Sequence, residues 1–250
     1  MSDLFEREWP VEDAKGAVVI THGIAEHSGR YEHVAQALNQ AGYSAFSYDH
    51  RGHGRSIGAP GDMGESVEQL VQDVVDHCVA ARSSYERTFL LAHSMGTLFS
   101  LPAAAQAPVG TLAGLILSGV ALVPGSAALE SMTTGEGLPP ETISRDPAVV
   151  KAYVDDPLIF NDAIPPETLA RVVEVIQLAT EAVAKINVPV LLIHGSEDVL
   201  TSVEGANMAH AQLVITDKTL KVYPGLYHEV LNEPEKDQVL ADVVAWLDDH

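Results

Sequence analysis

A serine, an aspartate and a histidine stand in the order and local settings that nucleophilic acyl transfer requires. Ser94 lies in Ala92-His93-Ser94-Met95-Gly96, one residue away from G-x-S-x-G, a motif that puts its serine on a sharp strand-to-helix turn. A serine hydroxyl is a weak nucleophile at neutral pH and needs an adjacent base, itself oriented by an acid. Downstream, Ser196-Glu197-Asp198 follows the apolar run VPVLLIHG (188–195), and Gly225-Leu226-Tyr227-His228 follows TLKVYP (219–224). The chain order Ser, Asp, His is one that such sites use. Ser94 is therefore expected as nucleophile, His228 as base and Asp198 as acid. Glu197 is the rival acid, but Asp198 lies further into its loop. His210 falls in a helical stretch and is expected at the surface or in packing. The same serine would also suit the N-cap of an ordinary crossover helix; the ordered acid and histidine favour catalysis.

A tetrahedral intermediate also needs hydrogen-bond donors for its oxyanion. One is expected from the Met95 backbone N–H, directly after the nucleophile. The other is expected from Ile24, where Gly23 lets the chain turn after the first long apolar run.

These residues need a scaffold. Short apolar runs at 17–23, 43–49, 88–93, 112–119, 188–195 and 219–224 alternate with helical stretches near 31–41, 66–82, 95–107, 202–213 and 235–248. Alternation of this kind predicts an α/β fold, a mostly parallel sheet with crossover helices on both faces. Residues 4–10 alternate and are expected to add an antiparallel edge strand. Residues 121–186 break the rhythm: they hold no clear strand and two Pro-Pro-Glu triplets. Pro165-Pro166-Glu167 opens a helix with Leu169, Val172, Val173, Ile176, Ala179 and Val183 on one face, and Asp146-Pro147 caps a shorter one. About 65 residues exceed what a crossover needs, so 121–186 is expected to be a helical cap inserted into a single domain spanning 1–250. Val149, Val150, Leu158, Ile159 and the 169–183 helix are candidates for its apolar walls.

Two other patterns are weaker. His22, Glu26 and His27 resemble displaced metal ligands, but Gly23, Ser28 and Gly29 oppose the helix that would align them, and no metal is expected. Gly52-His53-Gly54 lacks the third glycine spacing of a dinucleotide loop, so no cofactor is expected. Arg51, Arg55, His50 and His53 read as structural parts of that loop. The only cysteine, Cys78, keeps step with Val67, Leu70, Val71, Val74 and Val75 and reads as a core thiol. With 35 acidic and 14 basic residues the chain carries a net charge of −21, which opposes nucleic-acid binding. The charge excess also suits salt adaptation. No apolar run reaches the ~18 residues of a membrane span, and the acidic opening lacks a signal-peptide core; a soluble, cytoplasmic protein is expected.

HGIAEHSGRY (22–31), YDHRGHGRS (48–56), AHSMG (92–96), HGSEDVL (194–200) and YPGLYHEVLNEPE (223–235), with ISRDPAVVKAY (143–153), resemble the monoacylglycerol lipase family of α/β-hydrolases, its bacterial members in particular. The resemblance runs from about residue 4 to the C-terminus. It implies Ser94, Asp198 and His228 as triad, the Ile24 and Met95 amides as oxyanion hole, and a capped tunnel for an ester substrate with one acyl chain. It also implies a polar end for glycerol and transient contact with lipid interfaces through the cap. Three features depart from the family pattern. Ala92 replaces the usual glycine, the first strand of the opening hairpin is absent, and GSAALESMTTGEGLPP (125–140) stands where the cap is usually longer. The competing readings are a carboxylesterase or lysophospholipase with another alcohol, and a non-hydrolytic binding protein on the same fold.

Overall fold

A computed structural model describes residues 4–64, 66–134, 137–160, 162 and 165–250, without the side chains of 132–134. Its central sheet has seven strands in the order β1-β3-β2-β4-β5-β6-β7. These are β1 (Glu6–Trp9), β2 (Gly16–Thr21), β3 (Tyr43–Tyr48), β4 (Thr88–His93), β5 (Gly114–Ser118), β6 (Val190–Gly195) and β7 (Lys218–Tyr223). Every pairing is parallel except β1 with β3, so residues 4–10 do provide the antiparallel edge. All residues of β2, β4, β5 and β6 are buried, which explains their unbroken apolar runs: helices cover both faces. The edge strands β1 and β7 keep the alternation of a half-wet strand.

On one face α1 (Glu32–Gln40) and α8 (Lys236–Asp249) pack on Val18, Ile20, Leu91 and Ile193. On the other lie α2 (Val67–Ser84), α3 (Met95–Gln106) and α7 (Val203–Gln212). Cys78 is buried there in α2 as expected, and burial pushes its thiol up to about 12. The register sets Thr21 beside Ala92, and Ala92 beside Leu117. The loops that leave β2, β4 and β5 therefore emerge at one rim, the carboxyl edge where ligands bind in open α/β sheets.

Between β5 and β6 the chain forms α4 (Ser126–Thr134), α5 (Pro147–Asp155) and α6 (Pro166–Ala182). Asp146 caps α5 by accepting the Ala148 N–H at 2.9 Å, with Pro147 opening the helix. Helix α6 lies across α3, which is why the first ten residues of α3 are all buried. One expectation needs correction. Val173 does not belong to the inner face of α6: it is 61% exposed, while Val175 is fully buried. The buried stripe runs through Thr168, Val175, Ala179 and Ala182, and residue 173 is turned about 100° from residue 172, out of that stripe. The 125–140 stretch holds α4. Its Ser- and Thr-rich sequence gives weak periodicity. The N–H groups of Gly125 and Ala127 anchor it on the Leu200 and Val199 carbonyls at 2.9 Å each.

Candidate active site

Ser94 sits between β4 and α3 at φ +51° and ψ −123°, a strained conformation for a side-chain-bearing residue. Hydrogen bonds on both sides hold it there. Its N–H donates to the Ser118 carbonyl at 2.9 Å, and its own carbonyl accepts the Thr97 N–H at 2.8 Å and hydroxyl at 2.6 Å. The two flanks of the turn differ in what they tolerate. A Cβ on Gly96 would lie 2.7 Å from the Thr21 and His22 carbonyl oxygens, so glycine is required there. Ala92 is fully buried in the sheet with its methyl inside the core cluster. The missing glycine of the motif thus falls at the position with room for a methyl.

The loop after β2 comes close to the serine. A Cβ on Gly23 would lie 3.0 Å from both Ser94 Cβ and Glu26 Oε1. His22 accepts the His50 N–H on Nε2 at 2.9 Å, so its Nδ1 carries the proton and donates to the Gly23 carbonyl at 2.8 Å. Gly23 N–H donates to Glu26 Oε1 at 2.6 Å, and Ala25 turns the chain at φ +66°. Among the described residues neither the Ile24 nor the Met95 N–H is engaged in a hydrogen bond, and Met95 opens α3, whose N-terminus favours negative charge.

Asp198 and His228 meet after β6 and β7. His228 Nδ1 lies 2.8 Å from Asp198 Oδ2, with the histidine side chain 6% exposed and the aspartate fully buried. A nitrogen facing a carboxylate donates, which leaves Nε2 of His228 as the free lone pair. Asp198 Oδ1 accepts the Leu200 and Thr201 N–H groups, and Oδ2 also accepts the Thr201 hydroxyl. Burial pushes the Asp198 carboxyl up, but the His228 charge and the His194 and His228 imidazoles beside it outweigh burial and hold the group far below the usual carboxylate range. Burial likewise lowers His228, yet the Asp198 charge and hydrogen bond prevail and raise it. Glycine at 119, φ +59°, leaves room for the ring: a Cβ there would lie 3.0 Å from His228 Cε1. Glu197, the rival acid, is exposed. His210 stays in α7, where its carbonyl accepts a Lys218 hydrogen bond.

Ser94 and His228 face two adjoining cavities, with Ile24, Leu138 and Leu200 as shared walls. Among the described residues His228 hydrogen-bonds Asp198 and not Ser94; in sites of this kind the contact between base and nucleophile commonly tightens only in the reacting complex. The larger cavity encloses about 640 Å³ of empty space, open solvent at its mouth included, walled by Leu98, Pro124, Ala128, Leu169, Val172 and Ile176. The smaller, about 260 Å³, adds Glu26, His93, Tyr153 and Glu229. Of the expected walls, Leu169, Val172 and Ile176 contribute, but Val149, Val150 and Ile159 gather instead with Ile143 and Tyr153 in a separate apolar cluster. Leu158 faces a different cleft beside His53. Val183 is fully buried in the main core.

What fixes the smaller cavity is a set of tertiary contacts. Arg30 donates to both Glu229 oxygens, at 2.6 and 2.8 Å, and to Glu26 at 2.8 Å, with its guanidinium over the Tyr153 ring. Glu229 is adjacent to His228, but its partner lies 199 residues away, and no local pattern reveals such a pairing. His93 packs its ring 4.7 Å from that of His228 and is pushed down to about 3, first by burial and then by His228. The pseudo-metal trio goes to separate partners. Glu26 takes Gly23, Arg30 and Tyr31, and His27 takes Asp156 at 2.9 Å. In the loop after β3, Arg51 pairs with Asp73 of α2, and the Arg55 N–H donates to Asp49. Those contacts explain the loop without a cofactor.

The model of one protein family, described as "Serine aminopeptidase, S33", matches residues 12–235. A monoacylglycerol lipase of Mycolicibacterium smegmatis is 37% identical over 96% of this chain and 91% of its own. The monoglyceride lipase of Homo sapiens is 32% identical over 98% and 86%. The crystal structure of a monoacylglycerol lipase from Paleococcus ferrophilus superposes with a TM-score of 0.85 at 30% identity, covering 98% of each chain. The chain thus belongs to the monoacylglycerol lipase family of α/β-hydrolases.

Proposed function

We propose that the protein hydrolyses the ester bond of monoacylglycerols through an acyl-enzyme on Ser94. One observation carries this reading: Ser94 and His228 stand where an apolar cavity meets a smaller one whose walls include Glu26, Tyr153 and Glu229. An ester laid across that junction has its acyl chain in the apolar cavity and its alcohol among Glu26, Tyr153 and Glu229. His228 Nε2 takes the Ser94 proton as the hydroxyl attacks the carbonyl, and Asp198 stabilises the imidazolium that forms. The Ile24 and Met95 amides hold the oxyanion, in a site where one such donor is worth about 10²–10³ in rate. His228 then protonates the leaving glycerol oxygen. Water, deprotonated by the same histidine, releases the fatty acid and restores Ser94.

Residues 121–186 act as the cap, since α4 and α6 supply the cavity wall opposite α3. Exposed Leu129 and Val173, 51% and 61% accessible, are the cap residues that would touch a lipid aggregate. An aminopeptidase needs a free carboxylate for the substrate's α-ammonium. Glu26 and Glu229 are instead both engaged by Arg30, so that neither is free of a partner, which favours the ester reading. The test is a panel of monoacylglycerols, lysophospholipids, triacylglycerols, short aryl esters and aminoacyl amides, run on wild type beside Ser94→Ala. Monoacylglycerols should give the highest kcat/KM. Preferred turnover of triacylglycerols or aminoacyl amides would refute the reading.

A further inference from the structure

A second imidazole touches the acid and has no part in the steps above. His194 pairs with Val222 one residue before the end of β6, four residues before Asp198, and its side chain is fully buried. Its Nε2 lies 3.0 Å from the Thr201 carbonyl oxygen and 3.2 Å from Asp198 Oδ2. Both neighbours are acceptors, so Nε2 carries the proton and Nδ1 a lone pair. That Nδ1 is buried without a partner. An orphaned buried nitrogen is costly, and an apolar side chain at 194 would avoid the cost. Packing therefore does not account for the histidine, and the group at its other nitrogen does.

We propose that His194 is a positioning residue for the catalytic acid: its Nε2–H clasps the two ends of the 194–201 loop and donates to Asp198 Oδ2, setting how strongly that carboxylate pulls on the His228 proton. The proposal rests on the reading of Asp198 as the acid of the triad. Asp198 Oδ2 accepts hydrogen bonds from His228 and Thr201, and the His194 Nε2–H, shared with the Thr201 carbonyl, stands 3.2 Å from it as the third donor proposed. Each disperses the carboxylate charge. With the His194 donor removed the carboxylate becomes more basic, holds the imidazolium more tightly, and raises the pH at which His228 is free to act as a base. The loop is also knitted to the one that carries His228. The Glu197 N–H donates to the Leu226 carbonyl, and a Cβ on Gly195 would lie 2.2 Å from the Tyr227 carbonyl oxygen. A slack acid loop would therefore move the base as well. The other ionisable groups facing His228 are His93 at the end of β4, Glu229 next in the chain, and Glu26 and Arg30 from the region after β2. They are common to wild type and the variants below.

The test compares kcat/KM against pH for wild type, His194→Leu and His194→Gln on a soluble short-chain aryl ester. His194→Leu should move the acid limb upward by about one pH unit, the scale of one charge-assisted hydrogen bond. His194→Gln, which retains an N–H, should bring the limb back to the wild-type position. An acid limb that stays in place in His194→Leu while the rate falls uniformly would overturn the proposal. A second measurement needs no variant: ¹⁵N NMR of histidine-labelled wild type should find His194 as the Nε2–H tautomer, and an Nδ1–H tautomer would equally overturn it. A wild type inactive on every ester would sink the esterase reading instead, and the NMR result would still decide the proposal, so the two failures are distinguishable.

Discussion

The sheet rim and the helical segment 121–186 build opposite walls of one cleft by different means. At the rim, backbone geometry and hydrogen bonds fix each group: Ser94 by its strained φ, Asp198 by four hydrogen bonds, the His22 loop by side-chain to backbone hydrogen bonds exchanged between His22 and His50. In the segment, the cavity wall is positioned by apolar packing of α6 on α3 and by a few backbone hydrogen bonds at the foot of α4, while polar ties such as His27–Asp156 and Arg145–Glu233 fix the part around α5, away from that wall. A rim of this kind tolerates almost no change of atom at its polar groups. A packed wall tolerates change of shape at the cost of substrate preference.

The contrast can be broken most sharply at the acid. Asp198→Asn should cut kcat by about 10⁴-fold, because the amide no longer holds the His228 tautomer or its charge; steady-state assay on a short aryl ester checks this. A loss under tenfold would mean that the acid lies elsewhere.

Next come the two flanks of the nucleophile turn. Gly96→Ala forces a methyl onto two carbonyl oxygens and should destabilise the fold by about 1–3 kcal/mol, with a matching loss of activity, read by denaturant melts and assay. Ala92→Gly should cost about 1 kcal/mol through the lost methyl and added chain entropy, with activity within a few-fold of wild type. Equal effects at both positions would undo the asymmetry.

On the packed wall, Ile176→Trp fills part of the apolar cavity. Turnover of long-chain monoacylglycerols should fall by at least about tenfold, the scale of a few methylenes refused by a pocket, while short aryl esters change less than about twofold. Equal losses on both substrates would place the acyl chain elsewhere.

The smallest effect concerns pH. His228 is raised above its ordinary value by Asp198 despite burial, and only its neutral form accepts the Ser94 proton. Activity should therefore be full above that raised value and lost as pH falls through it. The acid limb of kcat/KM should lie above about 6.5, the ordinary histidine value.

The same contrast explains what the sequence revealed. Strand runs, the serine turn and the order Ser94, Asp198, His228 are local signals, and each depends on a short stretch of chain. The α4 wall escaped notice because its helix is defined by contacts to the 199–200 backbone, not by its own periodicity. Val173 was misassigned to the inner face because 3.6-residue spacing leaves two neighbouring stripes open, and only the position of α3 chooses between them. The Glu26–Arg30–Glu229 cluster and the orienting His194 are products of tertiary contact. Sequence separation conceals the first. The second is hidden because a histidine ending a strand has no signature of its own.

The central claim, that Ser94 is the nucleophile of an ester hydrolase, is tested most directly by a fluorophosphonate probe with peptide mapping by mass spectrometry. Wild type should be labelled once, on Ser94, with parallel loss of monoacylglycerol hydrolysis, and Ser94→Ala should be neither labelled nor active. Labelling or turnover that survives in Ser94→Ala would contradict the account.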